Sequence, residues 1–165
     1  MDTYAAVDVH YPQTGGARAA LVLADDETFA TIVAEHVAVL ATVEGYQPGA
    51  FYTRELPALE AVLAQVGPPS LLVVDGYVDL DPDGRPGLGA HVHERFGRPV
   101  IGVAKTGFHS ATHAIPVRRG GSTRPLYVTA VGLSTVEAAA LVAGMAGAHR
   151  IPSALKRVDA LARGR

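Results

Sequence analysis

The stretch that most constrains the fold is a run of four apolar residues followed by an acid and a glycine, Leu71-Leu72-Val73-Val74-Asp75-Gly76. Such a run is typical of a strand buried on both faces, with Asp75 emerging at its carboxyl end. Open α/β sheets bind their ligands at this edge. A second segment, Ala5–Val9, also places an acid, Asp8, within an apolar strand. Two strand-borne aspartates that meet across neighbouring strands would form a divalent-metal site.

The composition is that of a globular protein, with 48% hydrophobic and 18% charged residues in a chain of 165. This length predicts a single domain over residues 1–165, with a weakly helical tail from about residue 150 that we expect to fray. No apolar run reaches the ~18 residues of a membrane span, so no membrane partner is expected. The absence of cysteine excludes disulfides, thiolate zinc sites and cysteine nucleophiles, and it fits a cytoplasmic location.

Charge is divided unevenly along the chain. Residues 1–117 carry six Lys and Arg against fourteen Asp and Glu, a balance of −8. Residues 118–165 carry eight basic residues against two acids, a balance of +6. The acidic part is where a metal site would lie. The basic part is either a surface for a polyanion such as nucleic acid or an ordinary solvated surface with an arginine-rich tail.

The order of elements predicts a mixed sheet flanked by helices. Hydrophobic patterns predict strands at 4–11, 17–24, 28–40, 71–75, 99–104, 114–117 and 126–131, the first three forming a meander. Helices are predicted from Glu55, with Pro57 in the first turn, over Leu88–Phe96, and from a capping box at Ser134 to about Gly147. We therefore expect an α/β fold, a ribonuclease H-like mixed β-sheet flanked by α-helices. No Gly-x-Gly-x-x-Gly or Walker loop follows a strand, so a nucleotide cofactor has no sequence support.

Three acids form the candidate constellation: Asp8, Asp75 and Glu55, the last at a helix start. Mg²⁺ prefers carboxylate oxygens as ligands, and phosphodiester cleavage uses such ions to stabilise the attacking and leaving oxygens. Taken singly, Glu55 could be explained by a favourable interaction with its helix dipole, and Asp75 by capping a turn with Gly76. The pattern leaves the metal site and these structural roles open.

A resemblance to a known family is carried by seven short segments that follow one another in the same order across almost the whole chain. The sequence resembles the endonuclease V (deoxyinosine 3′ endonuclease) family, whose members nick nucleic acid near deaminated adenine, and it would be a short, divergent member. The matching segments are Ala6-Val7-Asp8-Val9, Tyr46-Gln47-Pro48-Gly49, Arg54-Glu55-Leu56-Pro57-Ala58-Leu59, Val74-Asp75-Gly76, Leu88-Gly89 with His93, Ile101-Gly102-Val103-Ala104-Lys105, and Arg150-Ile151-Pro152.

The resemblance implies roles for the residues that match. Asp8, Glu55 and Asp75 match the metal-site carboxylates of the family, which implies Mg²⁺ as the cofactor, with Mn²⁺ able to substitute. Lys105 matches an active-site lysine that would pair with a phosphate or with developing charge. The four residues together would form the catalytic set. A solvated lysine at a strand end is the alternative for Lys105.

The resemblance also implies nucleic-acid contacts. Tyr46, with Pro48 and Gly49, matches the loop that family members insert beside the lesion, where an aromatic ring suits a splayed base. The alternative for Tyr46 is a packed loop residue. Gly76 and Gly102 lie in matching segments and are expected at the nucleic-acid interface. The implied substrate is DNA or RNA, including inosine-containing strands.

The sequence departs from the family at several histidines. Tyr77, Asp81 and Gly132 stand where the family carries histidines, while His93 matches and either contacts the site or packs in the fold. Two functions follow. The first is a Mg²⁺-dependent endonuclease acting near deaminated bases in nucleic-acid repair or processing, leaving 3′-hydroxyl and 5′-phosphate ends. The alternative is a catalytically impaired endonuclease V-like protein that still binds nucleic acid; a structural or partner-binding remnant is the third possibility.

Overall fold

Seven strands form one mixed sheet in the computed structural model, which describes residues 2–42 and 52–165, with the backbone alone at 52–54. The strand order is β3-β2-β1-β4-β5-β7-β6. The strands are β1 Tyr4–His10, β2 Ala17–Ala24, β3 Ile32–Leu40, β4 Leu71–Asp75, β5 Val100–Ala104, β6 Ile115–Val117 and β7 Leu126–Val131. Among the described strands, only the pairs β1–β4 and β4–β5 are parallel. The predicted α/β class with a ribonuclease H-like mixed sheet is confirmed.

The first three strands form the predicted meander, with β1 and β3 both antiparallel to β2. The third strand begins at Ile32, so the prediction that it starts at Thr28 is wrong. Asp26 Oδ1 accepts a hydrogen bond of 2.8 Å from the Thr28 backbone N–H, which closes a turn, and Phe29 then adopts a φ of 55°. These local hydrogen bonds compete with backbone pairing in the sheet, so the strand begins later in the chain.

Four helices pack on the sheet: α1 Tyr52–Leu63, α2 Leu88–Phe96, α3 Thr135–Ala143 and α4 Ser153–Ala162. Helix α1 begins three residues earlier than predicted, so Pro57 lies inside it rather than in its first turn. Ser134 caps α3 as predicted, its Oγ accepting from the Glu137 N–H at 3.0 Å, but the helix ends at Ala143 rather than near Gly147. None of the helices in residues 2–42 and 52–165 is long and apolar enough to cross a membrane.

The sheet separates two hydrophobic cores. Helices α1 and α2 cover one face, where Leu59, Val62 and Leu72 are fully buried. Helices α3 and α4 cover the other face, where Leu126 and Val158 are buried. The segment from residue 150, which we expected to fray, therefore forms a packed helix, because its apolar residues recur at helical spacing and face the sheet.

Two arginines hold the loops of the C-terminal part together. The Arg119 guanidinium is buried and donates hydrogen bonds to the carbonyl oxygens that close α3 and start the next loop, those of Val142, Ala143, Met145, Gly147 and Arg150. Arg150 donates in turn to the carbonyls of Arg124, Lys105 and Pro125. Both guanidinium groups thus satisfy backbone acceptors that the helix and loop ends leave open.

Candidate active site

Asp8 and Asp75 lie side by side near the carboxyl ends of the neighbouring strands β1 and β4. Strands β1 and β4 are parallel, with Tyr4 opposite Leu71 and Ala6 opposite Val73. Continuing this register for two residues brings Asp8 opposite Asp75, on the same face of strands about 4.8 Å apart. The apolar runs that bury the two strands therefore carry both acids to a common point, as the sequence predicted.

Glu55 reaches the same place from helix α1. Asp8, Asp75 and Glu55 line one cavity of about 140 Å³, whose walls are completed by Val7, Val9, Leu59, Val74 and Leu88. Among residues 2–42 and 52–165, however, no group of three or more His, Asp or Glu side chains is arranged so that it could already hold a metal ion. The fold brings the three predicted acids around one cavity without closing them into a finished ligand set.

The electrostatics of the pair are those of crowded carboxylates. Burial raises the pKa of Asp8 to about 7, and the charge of Asp75 adds to this, although the Val9 N–H donates to Asp8 Oδ1 at 2.9 Å. Burial also raises the pKa of Asp75, while Lys105 lowers it. The donors are all oxygens, and their negative charge is only partly balanced. This donor set fits a hard divalent cation such as Mg²⁺.

Lys105 follows the last residue of β5, next to β4, and its Nζ lies 3.9 Å from Asp75 Oδ2. Its backbone is held from two directions. The Lys105 carbonyl accepts a hydrogen bond of 2.5 Å from Arg150, and the next carbonyl, of Thr106, accepts one of 2.8 Å from the Tyr77 hydroxyl. The lysine is thus presented beside the acids by a fixed loop.

Helix α4 adds an acid that sequence reasoning missed. Asp159 interacts with the Asp8 carboxyl and with the charge of Lys105. Although burial raises the pKa of Asp159, hydrogen bonds from Arg163 at 3.2 and 3.3 Å bring it below its usual value. The helical spacing of apolar residues around Asp159 predicts a helix packed on the sheet, but its position beside β1, which brings Asp159 near Asp8, depends on tertiary contacts.

Of the two predicted glycines, Gly76 directly follows β4 and Gly102 lies in the middle of β5. Gly76 has a φ of 119°, and its N–H donates to the Val103 carbonyl. A Cβ on Gly102 would lie 2.5 Å from the Gly76 carbonyl oxygen and 2.9 Å from the Val78 nitrogen. Close packing therefore explains Gly102 without any ligand, and the nucleic-acid role of both glycines stays a prediction. Tyr46, Pro48 and Gly49 lie outside the described residues.

The departures from the family have structural roles in this chain. Tyr77 packs against the Phe108 ring at 6.1 Å while its hydroxyl holds Thr106. Asp81 Oδ1 accepts from the backbone N–H groups of Asp83 and Arg85, which closes the acidic loop. Gly132 has a φ of 84° and no room for a Cβ beside Pro99.

His93 supports the turn that follows α2, because its Nδ1 lies 2.8 Å from the Arg98 carbonyl oxygen. It is not among the residues that line the cavity of Asp8, Asp75 and Glu55.

These observations define a class of protein: a ribonuclease H-like α/β protein with acids gathered at the carboxyl ends of its central parallel strands. Residues 1–136 match the family model described as Endonuclease V. The chain is 34% identical to the Endonuclease V of Streptomyces coelicolor over 95% of its own length and 76% of the relative's. It is 32% identical to that of Streptomyces avermitilis over 95% of its own length and 77% of the relative's. The chain therefore belongs to the endonuclease V family, and it is an endonuclease, a hydrolase of phosphodiester bonds.

Solved structures agree with this assignment. The crystal structure of the Streptomyces avermitilis enzyme superposes with a TM-score of 0.81 at 29% identity, covering 99% of this chain and 81% of that one. The Ciona intestinalis Endonuclease V in complex with a 23mer DNA containing an inosine shares the fold, with a TM-score of 0.75 at 19% identity over 99% of this chain and 84% of that one.

Proposed function

We propose that this protein is a Mg²⁺-dependent endonuclease that cleaves DNA or RNA near deaminated bases such as inosine, in nucleic-acid repair or processing in the cytoplasm. The observation that carries the proposal is the convergence of Asp8, Asp75 and Glu55 on one cavity, with Lys105 Nζ 3.9 Å from Asp75. The inosine-containing DNA bound by the Ciona intestinalis relative supports the choice of substrate.

In this proposal Asp8 and Asp75 hold the divalent cation, and Glu55 completes the donor set directly or through a water molecule. When bound, the cation supplies positive charge to the attacking and leaving oxygens of the phosphodiester. Lys105 pairs with the phosphate and offsets the charge that develops on it. Water forms the new bond to phosphorus and the P–O3′ bond breaks, so the ends are a 3′-hydroxyl and a 5′-phosphate. Asp159 restrains Asp8 from the side of α4.

Nicking of inosine-containing oligonucleotides tests the proposal. We expect wild-type protein to nick an end-labelled inosine oligonucleotide with Mg²⁺ or Mn²⁺ and to be inactive with EDTA. We expect Asp75→Asn to lose at least about a hundredfold in rate, because it removes a ligand of the cation that would stabilise the reacting phosphate. Asp83→Asn, in the acidic loop, is the matched control and should cleave normally. Equal cleavage by wild type and Asp75→Asn would contradict the proposal.

The alternative, a protein that binds nucleic acid with impaired catalysis, is favoured by one observation: Tyr77, Asp81 and Gly132 replace family histidines. It predicts salt-sensitive binding of the inosine oligonucleotide without nicking by wild-type protein in either metal. Fluorescence anisotropy and the nicking assay on the same oligonucleotide separate the two functions.

A further inference from the structure

A cavity of about 390 Å³ lies on the α1–α2 face of the sheet, at the end of β4 away from Asp75. Its apolar lining includes Leu63, Val66, Leu72 and Phe96. Leu72 and Asp75 are three residues apart on one extended strand, a separation of about 10 Å. The cavity therefore does not belong to the active site, and its size is in the range of ligand-binding cavities, roughly 300–1,000 Å³.

Three charged side chains line this cavity, and Arg98 is the one that remains after Arg95 and Glu60 pair with each other. Arg95 and Glu60 at the rim neutralise each other, with Arg95 Nε 2.7 Å from Glu60 Oε1. Arg98 also lines the cavity and is half-buried. Within residues 2–42 and 52–165, its guanidinium makes no hydrogen bond or ion pair. A half-buried guanidinium beside apolar walls favours a carboxylate, which it can bind with two parallel hydrogen bonds.

The turn that carries Arg98 is fixed before any ligand arrives. Gly97 ends α2 in the left-handed conformation, with a φ of 68°, and its N–H donates to the His93 carbonyl at 2.8 Å. His93 Nδ1 bonds the Arg98 carbonyl at the same distance. Because the backbone is held on both sides of Arg98, little ordering of the main chain accompanies binding.

We propose that this cavity binds the C-terminal end of a partner polypeptide, with a large apolar last side chain against Leu72 and Phe96 and the terminal α-carboxylate on Arg98. One free cation beside an apolar cavity matches one carboxylate joined to one apolar group. A nucleic-acid backbone would instead require several cations, whereas this cavity offers Arg98 beside a neutral Arg95–Glu60 pair. Capture of a terminal carboxylate is a recognised mode of peptide binding. The proposal is independent of the nuclease chemistry.

Fluorescence anisotropy with a labelled octapeptide of Gly and Ser ending in Phe tests this site on the full-length protein. We expect a Kd of about 10–100 μM, weakened about tenfold or more by amidation of the peptide C-terminus. Arg98→Ala should weaken binding as much as amidation. Ala64→Phe should also weaken binding, because Ala64 lines the cavity and the larger side chain would fill it. Circular dichroism establishes that both variants are folded.

Two controls separate this site from the rest of the molecule. Arg124→Ala removes an exposed arginine outside the cavity and should leave peptide affinity unchanged. Asp75→Asn should also bind the peptide normally, whatever its effect on nicking. Three results would overturn the proposal. The first is no binding at a peptide concentration of about 1 mM, and the second is equal affinity for the acid and the amide. The third is binding of 3-phenylpropionate as tightly as the peptide, which would identify a site for small acids.

Discussion

The proton uptake of Asp8 should respond strongly to folding. Burial and the charge of Asp75 raise its pKa from the ordinary 3.8 to about 7. Between these two values the folded chain binds the Asp8 proton more tightly than the unfolded chain does. The stability that this proton supplies is fully present below about pH 4 and is lost as the pH rises to about 7. At neutral pH without a divalent cation, Asp8 should therefore weaken the fold.

Asp8→Asn should remove this pH dependence. In EDTA at pH 8 we expect the variant to be more stable than wild type by roughly 1–3 kcal/mol, with the difference disappearing near pH 4. Urea denaturation at pH 4, 6 and 8 measures it. Addition of Mg²⁺ at pH 8 should stabilise wild type more than the variant. Identical pH dependences of wild type and Asp8→Asn in EDTA would show that ionisation of Asp8 does not destabilise the fold.

Residue by residue, the site was predictable where one local pattern carried the signal. Asp8 and Asp75 each stand in an apolar run, and strand pairing alone brings them level. The position of Asp159 could not be predicted in this way. It depends on how α4, a helix with both polar and apolar residues, docks on β1 and β2. The same holds for Tyr77, whose partner at Thr106 is distant in sequence.

At the scale of elements, buried strands and capped helices were the most predictable parts. Strand β2 and helix α2 have the predicted bounds, because a Pro/Gly turn precedes β2, an acidic turn follows it, and Gly and Pro flank α2 on both sides. The predicted bounds of β3 and α3 are wrong because a few local hydrogen bonds set them. The turn at Asp26 moves the start of β3 to Ile32, and Gly144 caps α3, which ends at Ala143. The tail, which was expected to fray, forms α4 because its apolar face packs on the sheet.

The end of α3 depends on Arg119, which is 7% exposed and whose guanidinium donates to five backbone carbonyls. Arg119→Ala should lower the free energy of unfolding by about 3 kcal/mol or more, because buried carbonyls lose their donors. The neighbouring Arg118→Ala, at an exposed residue, is the matched control and should change stability by less than about 0.5 kcal/mol. Urea denaturation measures both. A similar small effect for both would mean that water replaces the guanidinium.

At the scale of the whole molecule, the positive charge of residues 118–165 is less available than its sum suggests. Arg119 and Arg150 are occupied by carbonyl oxygens. Arg157 pairs with Glu35 at 2.6 Å, and Arg163 pairs with Asp159. Four of the eight basic residues therefore serve the fold. Half of the basic residues in this segment, which the sequence left open as a polyanion surface, are therefore committed to contacts within the protein.

Salt dependence of oligonucleotide binding tests this division of charge. Each phosphate contact contributes about −0.9 to the slope of log K against log salt. Arg118→Ala should make the slope shallower by at most about that amount, whereas Arg157→Gln should leave it unchanged because Arg157 is committed to Glu35. Anisotropy titrations from 50 to 200 mM salt (roughly the range over which such slopes are read) suffice. A shallower slope for Arg157→Gln would show that this arginine exchanges Glu35 for phosphate.

The level pairing of Asp8 and Asp75 has an evolutionary consequence. A lineage selected only for a sturdy fold would gain by replacing either acid with a neutral residue, since their repulsion opposes folding when no cation is present. The parallel register of β1 and β4 makes that repulsion unavoidable as long as both acids remain. A chain that keeps both acids accepts a less stable metal-free fold, and under the proposed function a divalent cation would restore that stability in the cell.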